Sequence, residues 1–212
     1  MNCGCDTVYM EIKKEDAEGK KNQDIWAKLR FFLTQRDPME INKSTEQASI
    51  ESPPKNMDEF SLLRFKHAQD SVYKDVLREL QNGKKESHWV WYIFPQIVGM
   101  GRSDTARYFS IKSIKEAQAY LKHPLLGERL FECTKLLLDI QNKSGTEVLG
   151  AIDFLKVKSS MTLFHKASPK NPMFKEVLDK YYKSELDEIT MAILKKIEKK
   201  DRESKKLETP ES

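Results

Sequence analysis

The chain has 212 residues and a net charge of +4; 39% of its residues are hydrophobic and 33% are charged. This supply of apolar residues is too rich for a wholly disordered chain, and no apolar run approaches the roughly 18 residues that cross a bilayer. Two of the three cysteines are Cys3 and Cys5, so a disulfide framework is excluded, and no apolar signal segment starts the sequence. These features predict a soluble protein of the cytoplasm, with no integral membrane association.

Residues 1–57 are expected to form an N-terminal extension that is disordered or loosely docked. Its last part, Asn42 to Pro54, is polar and typical of a linker. One amphipathic helix is predicted within the extension, over about residues 24–34, because apolar residues recur there at helical spacing. An exposed apolar face favours aggregation, so we expect this helix to dock on the main domain or to bind a partner protein. The apolar residues are Ile25, Trp26, Leu29, Phe32 and Leu33.

Helix start and stop signals recur regularly from Asp58 to about Ile197. Asp58 is placed to cap a helix whose apolar residues recur every three or four positions as far as Leu80. Gly83 follows at the position where a left-handed C-terminal cap is expected. One long helix is therefore predicted over residues 58–80.

Five further helices are predicted from their N-terminal signals. Two of these signals are capping boxes, in which a serine and a glutamate three residues later bond each other's backbone. The longest apolar stripe runs from Leu126 to Ile140 and marks the clearest core helix. Gly150 closes the short helix that begins at Ser144. The five starts are Ser113 with Glu116, Pro124, Ser144 with Glu147, Asn171 with Pro172, and Asp187.

These patterns predict an all-α fold, a compact orthogonal domain of about six to seven helices over residues 58–197. No alternating strand pair with a hairpin turn is found. Residues 198–212 are almost wholly charged or polar, so we expect a charged tail in which the last helix frays into disorder. Residues 58–197 contain 23 Lys and Arg against 18 Asp and Glu, a mild basic excess that suits an anionic small molecule or a nucleic acid.

Three segments depart from the amphipathic pattern, and the first is the aromatic run from Ser87 to Gln96. It is apolar on every face, which is typical of a fully buried central helix or a short strand. Alternatively, Trp89 and Trp91 stack on a bound ring. Gln96 and His88 lie at the polar ends of the run, where their side chains could reach a ligand. His88 is the candidate catalytic residue, because imidazole exchanges a proton near neutral pH.

The second segment runs from Gly99 to Asp104, directly before a helical pattern. Gly99 and Gly101 would let backbone amides approach a ligand, and Arg102 offers a planar fork for phosphate or carboxylate. Ser103 would join the same anion site. An alternative is a tight connection in which the glycines turn the chain and Ser103 or Asp104 caps the next helix.

The third segment, Lys156 to His165, places three hydroxyls within four positions, at Ser159, Ser160 and Thr162. Such residues are poor helix formers, so their presence before an apolar stretch needs a reason. They could line a polar pocket in which Lys156 or Lys158 is the cation. Alternatively, they allow helices to approach closely and bond back to carbonyls of the preceding turn.

These three segments occur along the chain in a fixed order with further short motifs. The further motifs are Glu116-Ala117, His123-Pro124, Gly150-x-x-Asp153-x-x-Lys156 and Ser159-Ser160-Met161-Thr162. In combination they closely resemble the DUF1810 family, whose function is unknown. The similarity covers roughly residues 58–195 and leaves the first 57 residues and the tail outside it. It implies a compact, all-helical domain and carries no established activity. The polar motif residues include Arg129 and Asp153 besides the candidates named above.

The function predicted from these residues is binding of an anionic metabolite, such as a nucleotide or an ADP-ribose-type compound. Whether the protein also acts on this ligand as an enzyme stays open. The alternative is a protein or RNA interaction module that uses the aromatic rings and the basic excess as a contact surface. No pair of histidines or cysteines has metal-ligand spacing, so no metal and no cofactor are predicted.

Overall fold

The computed structural model describes residues 60–208, and within that range the chain forms ten α-helices. The all-α prediction is confirmed: these residues contain no strand, and one isolated parallel bridge joins Ile97 and Ile111. The predicted N-terminal amphipathic helix lies outside the described residues. The ten helices are α1 (Leu63–Asp70), α2 (Tyr73–Gln81), α3 (Val90–Ile93), α4 (Asp104–Tyr108), α5 (Ile114–Lys122), α6 (Pro124–Asp139), α7 (Gly145–Leu149), α8 (Ala151–Ala167), α9 (Met173–Tyr182) and α10 (Glu188–Glu208).

Ten helices exceed the predicted six to seven, in part because the helix expected over 58–80 is split into α1 and α2. At the break, the Val72 N–H donates to the Gln69 carbonyl at 3.0 Å, three residues back instead of four. Ser71 and the β-branched Val72 are weak helix formers, which explains the position of the break. Gly83 follows α2 with φ of +60°, so the predicted left-handed cap is confirmed. The expected N-cap, Asp58, lies outside the described residues.

Of the other additional helices, α3 and α4 are short pieces around the aromatic run, whereas α8 is a 17-residue helix that no predicted start signal marked and that has no side-chain cap. The run itself forms the four-residue α3 and then continues as extended chain. The Val98 N–H donates to the Ile111 carbonyl at 2.8 Å, and the Ile111 N–H donates to the Gln96 carbonyl at 2.8 Å. The five-residue α4 lies in the segment that these two bonds close. Neither piece has enough turns to show a period in the sequence.

Side-chain caps confirm several of the predicted helix starts. Ser144 and Glu147 form a complete capping box at the start of α7. The Asp187 carboxylate accepts a hydrogen bond from the Thr190 N–H at 2.7 Å, where α10 begins. Pro124 is in the first turn of α6, as its fixed φ favours.

The capping box predicted at Ser113 is only half formed. The Ser113 hydroxyl accepts from the Glu116 N–H at 3.1 Å, as expected. The Glu116 carboxylate instead accepts from the Lys112 N–H at 2.8 Å and pairs with the guanidinium of Arg64 in α1. This buried ion pair attaches α1 to the start of α5, so a tertiary contact has displaced the local one.

The core is arranged around α8, which packs against α3, α5, α7, α9 and α10. The bulkiest fully buried side chains come from elements along the whole described chain, so they form one core rather than two. This arrangement brings the outer face of α8 next to the aromatic run. The six largest of these side chains are Trp89, Tyr120, Phe65, Phe94, Phe164 and Phe174.

The last helix, α10, continues to Glu208, although the sequence indicated fraying after Ile197. Ion pairs one turn apart support this part of the helix: Arg202 with Glu198 at 4.0 Å and Lys199 with Glu203 at 3.8 Å. None of the helices in residues 60–208 combines the length and the apolar character that crossing a membrane requires.

Candidate functional site

The aromatic run is anchored by a buried carboxylate on α2. Trp89 is fully buried, and its indole N–H donates to the Glu79 carboxylate at 2.7 Å. The same carboxylate accepts from the Glu86 N–H at 2.7 Å and from both the N–H and the hydroxyl of Ser87. Burial alone would raise the pKa of Glu79, but these hydrogen bonds outweigh it and lower the pKa to about 2. The segment leading into the run is therefore held in one position.

Beside this anchor, two lysines share one carboxylate. The Lys85 ammonium lies 2.6 Å from one oxygen of Asp153, and the Lys156 ammonium lies 2.7 Å from the other. Asp153 and Lys156 are three residues apart in the first turns of α8, whereas Lys85 comes from the connection between α2 and α3. We call Lys85, Asp153 and Lys156 the lysine–aspartate cluster.

Counted without the ionised Glu79 of the neighbouring anchor, the three side chains of the lysine–aspartate cluster carry one positive charge in excess. Burial would raise the pKa of Asp153, but hydrogen bonds from Lys156 and Lys85 outweigh it, so the pKa lies below its ordinary value. Asp153 is therefore ionised at neutral pH and balances one of the two ammonium groups. Because the Lys85 side chain is only 6% exposed, the remaining charge is poorly screened by water.

Each lysine of the cluster also faces an indole ring. The Lys156 ammonium lies 4.1 Å from the ring centroid of Trp91, and the Lys85 ammonium lies 5.1 Å from that of Trp89. The Trp91 side chain is half-buried and the Trp89 side chain is buried. Of the residues predicted from the aromatic run, Trp91 and Trp89 thus join Lys156, and Trp91 is the one of the two rings that reaches solvent.

His88 is exposed at the edge of this arrangement. Its neighbours in the chain, Ser87 and Trp89, are both bonded to Glu79, so its backbone position is fixed while its ring faces solvent. Gln96, the other predicted polar end, is half-buried. Its carbonyl accepts from the Ile111 N–H, which is a structural contact.

The turn from Gly99 to Ser103 has structural roles of its own. The Ser103 hydroxyl caps α4 by accepting from the Ala106 N–H at 3.2 Å. A Cβ at Gly101 would lie 2.4 Å from the Ala106 Cβ, so this position needs a glycine for packing. Gly99 has φ of +93°, a conformation that also favours glycine. Arg102 is exposed, and within residues 60–208 no ion pair or hydrogen bond joins it to the lysine–aspartate cluster.

The three residues with hydroxyls on α8 are fully buried, and the hydroxyls of Ser159 and Thr162 have partners within the fold. The Ser159 hydroxyl lies 2.8 Å from that of Thr190. The Thr162 hydroxyl donates to the Lys158 carbonyl at 2.8 Å and accepts from the Asp187 N–H at 2.9 Å. The Ser160 hydroxyl is buried without a hydrogen-bond partner among the described residues. This geometry corresponds to close helix packing, the alternative that the sequence left open.

Two residues of the cluster were not among the site residues predicted from the sequence. Asp153 was named only as a polar motif residue, although its spacing of three from Lys156 on a helix favours an ion pair. Lys85 could not have been found, since its contact with Asp153 depends on how the α2–α3 connection packs against α8. Two open surface depressions of the described residues lie elsewhere, one beside Lys199 on α10 and the other beside Glu185.

Comparisons with known proteins agree with this fold. A family profile described as "Protein of unknown function (DUF1810)" matches residues 59–194. The chain is also similar to a solved structure, the crystal structure of the conserved hypothetical protein Rv1873 from Mycobacterium tuberculosis, with 48% sequence identity and a TM-score of 0.63. That match covers 64% of this chain and 96% of the other. No curated protein matches.

Proposed function

Because this chain belongs to the DUF1810 family, whose function is unknown, we propose from its geometry that it binds a small anionic metabolite at the lysine–aspartate cluster and Trp91. The ligand class is a nucleotide or an ADP-ribose-type compound. The observation that carries this proposal is the pair of ammonium groups on one carboxylate, at 2.6 and 2.7 Å, beneath an indole ring that reaches solvent. The excess positive charge would hold a phosphate.

Each residue has a distinct part in this proposal. Lys156 and Lys85 supply the positive charge, and Asp153 keeps both ammonium groups in place. Trp91 holds the Lys156 ammonium over its ring, 4.1 Å from the centroid, and borders the site with its exposed edge. His88, exposed beside the cluster, is the candidate acid or base if the ligand is turned over. We place this activity in the cytoplasm, as the sequence predicts.

The first test is a thermal-shift screen of the full chain with nucleotides, NAD, ADP-ribose and sugar phosphates, followed by calorimetric titration of any hit. A ligand at about 100 times its Kd stabilises the folded state by about 2.7 kcal/mol, which moves the melting temperature by several degrees. If none of these anions stabilises the chain, the proposal is wrong.

Variants then locate the binding site. Lys156→Gln should weaken binding at least about tenfold, because it removes the positive charge in excess. Lys158→Gln is the matched control: this lysine is also on α8, but it pairs with Glu185 at 3.2 Å, away from the cluster. Equal losses in the two variants would mean that binding is not localised at the cluster.

Catalysis is tested separately at His88. His88→Ala should abolish turnover of the bound ligand and leave the melting temperature nearly unchanged, since the ring is exposed. Retained turnover would remove the acid–base role and leave a binding protein.

A second candidate function is RNA binding, favoured by one observation on α4. The Tyr108 ring is 60% exposed, with the exposed Arg107 before it and Arg102 in the preceding turn. Arg107 pairs with Asp104 at 2.8 Å, and an exposed ring beside arginines is typical of a base-stacking contact. A short single-stranded RNA should then bind with an affinity that falls steeply with salt, and Tyr108→Ala should weaken it at least about fivefold. Salt-independent or undetectable binding would exclude this candidate.

A further inference from the structure

We propose that the anionic ligand carries a flat apolar ring, and that this ring rests on Ile152 and Leu155 of α8. This inference deepens the proposed function and rests on it. It makes the site selective for anions attached to an aromatic base over sugar phosphates of the same charge. The carrying observation is an exposed pair of aliphatic side chains immediately beside the lysine–aspartate cluster.

Ile152 is 73% exposed and Leu155 is 63% exposed, which makes them the two most exposed large hydrophobic residues among those described. Scattered single apolar residues are normal on a surface, but these two are three residues apart on one helix and therefore adjacent. Ile152 is also four residues before Lys156, one turn away on the same face. The aliphatic pair thus adjoins the stem of Lys156, whose ammonium contacts Asp153 and the Trp91 ring.

The same face of α8 is covered further along the helix. Ser159 follows Leu155 by four residues and is fully buried against Thr190 of α10. α10 therefore covers this face from Ser159 onward and leaves the preceding turn open. The aliphatic pair lies at the edge of a packed helix contact. A ligand ring on Ile152 and Leu155 would therefore contact α10 at its side.

Charge and shape together favour a base-bearing phosphate as the occupant. The phosphate would bind the ammonium groups of the cluster. The aromatic base, joined to the phosphate through the sugar, would lie across one turn of the helix and cover Ile152. One turn of an α-helix is about 5.4 Å, which is comparable to the width of an aromatic ring. A bare sugar phosphate has no group that would replace water on this aliphatic surface.

The experiment compares AMP with ribose 5-phosphate, which carries the same phosphate and sugar without the base. Calorimetric titration of the full chain should give a lower Kd for AMP, by at least about tenfold. In the double variant Ile152→Ser/Leu155→Ser, this ratio should fall to about threefold or less, while ribose 5-phosphate binds as before. Both residues are exposed, so the variant is expected to fold.

The matched control is Leu63→Ser on α1, which removes an exposed aliphatic side chain, at 46% exposure, from a helix that does not flank the pair. It should leave the AMP ratio unchanged. If Lys156→Gln abolishes binding of both compounds but the double variant keeps the wild-type ratio, this inference is wrong and the proposed function stands. If neither compound binds the wild-type chain, the inference and the nucleotide site it rests on are both overturned.

Discussion

Glu79 has more hydrogen-bond donors directed at it than any other carboxylate near the site. Two backbone N–H groups, the Ser87 hydroxyl and the Trp89 indole all reach its two oxygens, and the residue is 3% exposed. A carboxylate accepts four such bonds, whereas a neutral amide presents two donors of its own in place of one oxygen. Glu79 therefore fixes the α2–α3 connection through its charge as well as its shape.

Replacing this carboxylate tests that role. Glu79→Gln should lower the free energy of unfolding by about 2–3 kcal/mol, because an amide N–H would face the donors that the oxygen now accepts. Chemical denaturation followed by circular dichroism measures the loss. The control is Glu86→Gln, which changes an exposed neighbour and should cost little. A Glu79→Gln variant as stable as the wild type would mean that the charge is not needed.

The pH dependence of stability follows from the same carboxylate. Its pKa is about 2 in the folded chain against an ordinary value of 4.5, so its contribution is complete above pH 4.5 and is lost as the pH falls towards 2. The difference in unfolding free energy between wild type and Glu79→Gln should therefore shrink across that range. A difference that stays constant from pH 5 to pH 2.5 would contradict the assigned cause.

Gly101 offers a prediction about close packing. Gly101→Ala would place a Cβ 2.4 Å from the Ala106 Cβ, so it should destabilise the fold by about 1–3 kcal/mol. Adding Ala106→Gly removes the clash and should recover at least about 1 kcal/mol, despite the cost of glycine in α4. The measurement is a double-mutant cycle by chemical denaturation. Purely additive losses would show that another contact requires the glycine.

At the scale of helices, the contact between α8 and α10 depends on paired hydroxyls. Ser159 and Thr190 are both fully buried, and their oxygens are 2.8 Å apart. Neither group can reach water, so removing one leaves the other without this partner. Sequence reasoning had to leave open whether such hydroxyls serve a ligand or a helix contact, because both uses need small polar residues at the same spacing.

A double-mutant cycle distinguishes the two uses. Ser159→Ala should destabilise the chain by about 1–2 kcal/mol, and Thr190→Val by a similar amount, but the combined variant should cost clearly less than the sum. Ligand binding should be the same in all three variants. If Ser159→Ala instead weakened AMP binding without changing stability, the hydroxyl would belong to the site.

The sequence predicted those helices whose signals are local. Asp187 and the box of Ser144 with Glu147 are read directly from side chains three residues apart, and Gly83 from the residue type that a left-handed cap prefers. The break at Ser71 was missed, because apolar positions continue at helical spacing across it. The sequence also did not indicate that the box at Ser113 is only half formed. Its glutamate, Glu116, pairs with Arg64, which is 52 residues away in the chain.

The candidate site was less predictable than the fold. Lys156 and Trp91 were identified because the segments that contain them depart from the amphipathic pattern of the rest of the domain. Lys85 is one of many lysines in the sequence, and nothing in its neighbours indicates burial. Its role depends on a connection that brings the end of α2 to the start of α8, which no local pattern encodes.

At the scale of the whole molecule, the described residues contain a core of their own. Its largest buried side chains lie between Phe65 and Phe174, and the M. tuberculosis protein is covered to 96% by the matching region. A chain that lacks residues 1–57 should therefore unfold in one cooperative transition, with a midpoint within a few degrees of the full chain. Scanning calorimetry measures this. A broad or non-cooperative transition would mean that the extension completes the core.

The length of α10 magnifies small rotations at its contact with α8. From Thr190, which is bonded to Ser159, the helix runs for 18 further residues to Glu208, or about 27 Å at 1.5 Å per residue. A rotation of about 10° at that contact moves the far end by about 5 Å. A spin label near Glu208, paired with one on the body of the domain, would thus magnify a small shift of α8 into a measurable change in distance. The contact at which α10 would pivot, at Ser159, lies three residues from Lys156 on the same helix.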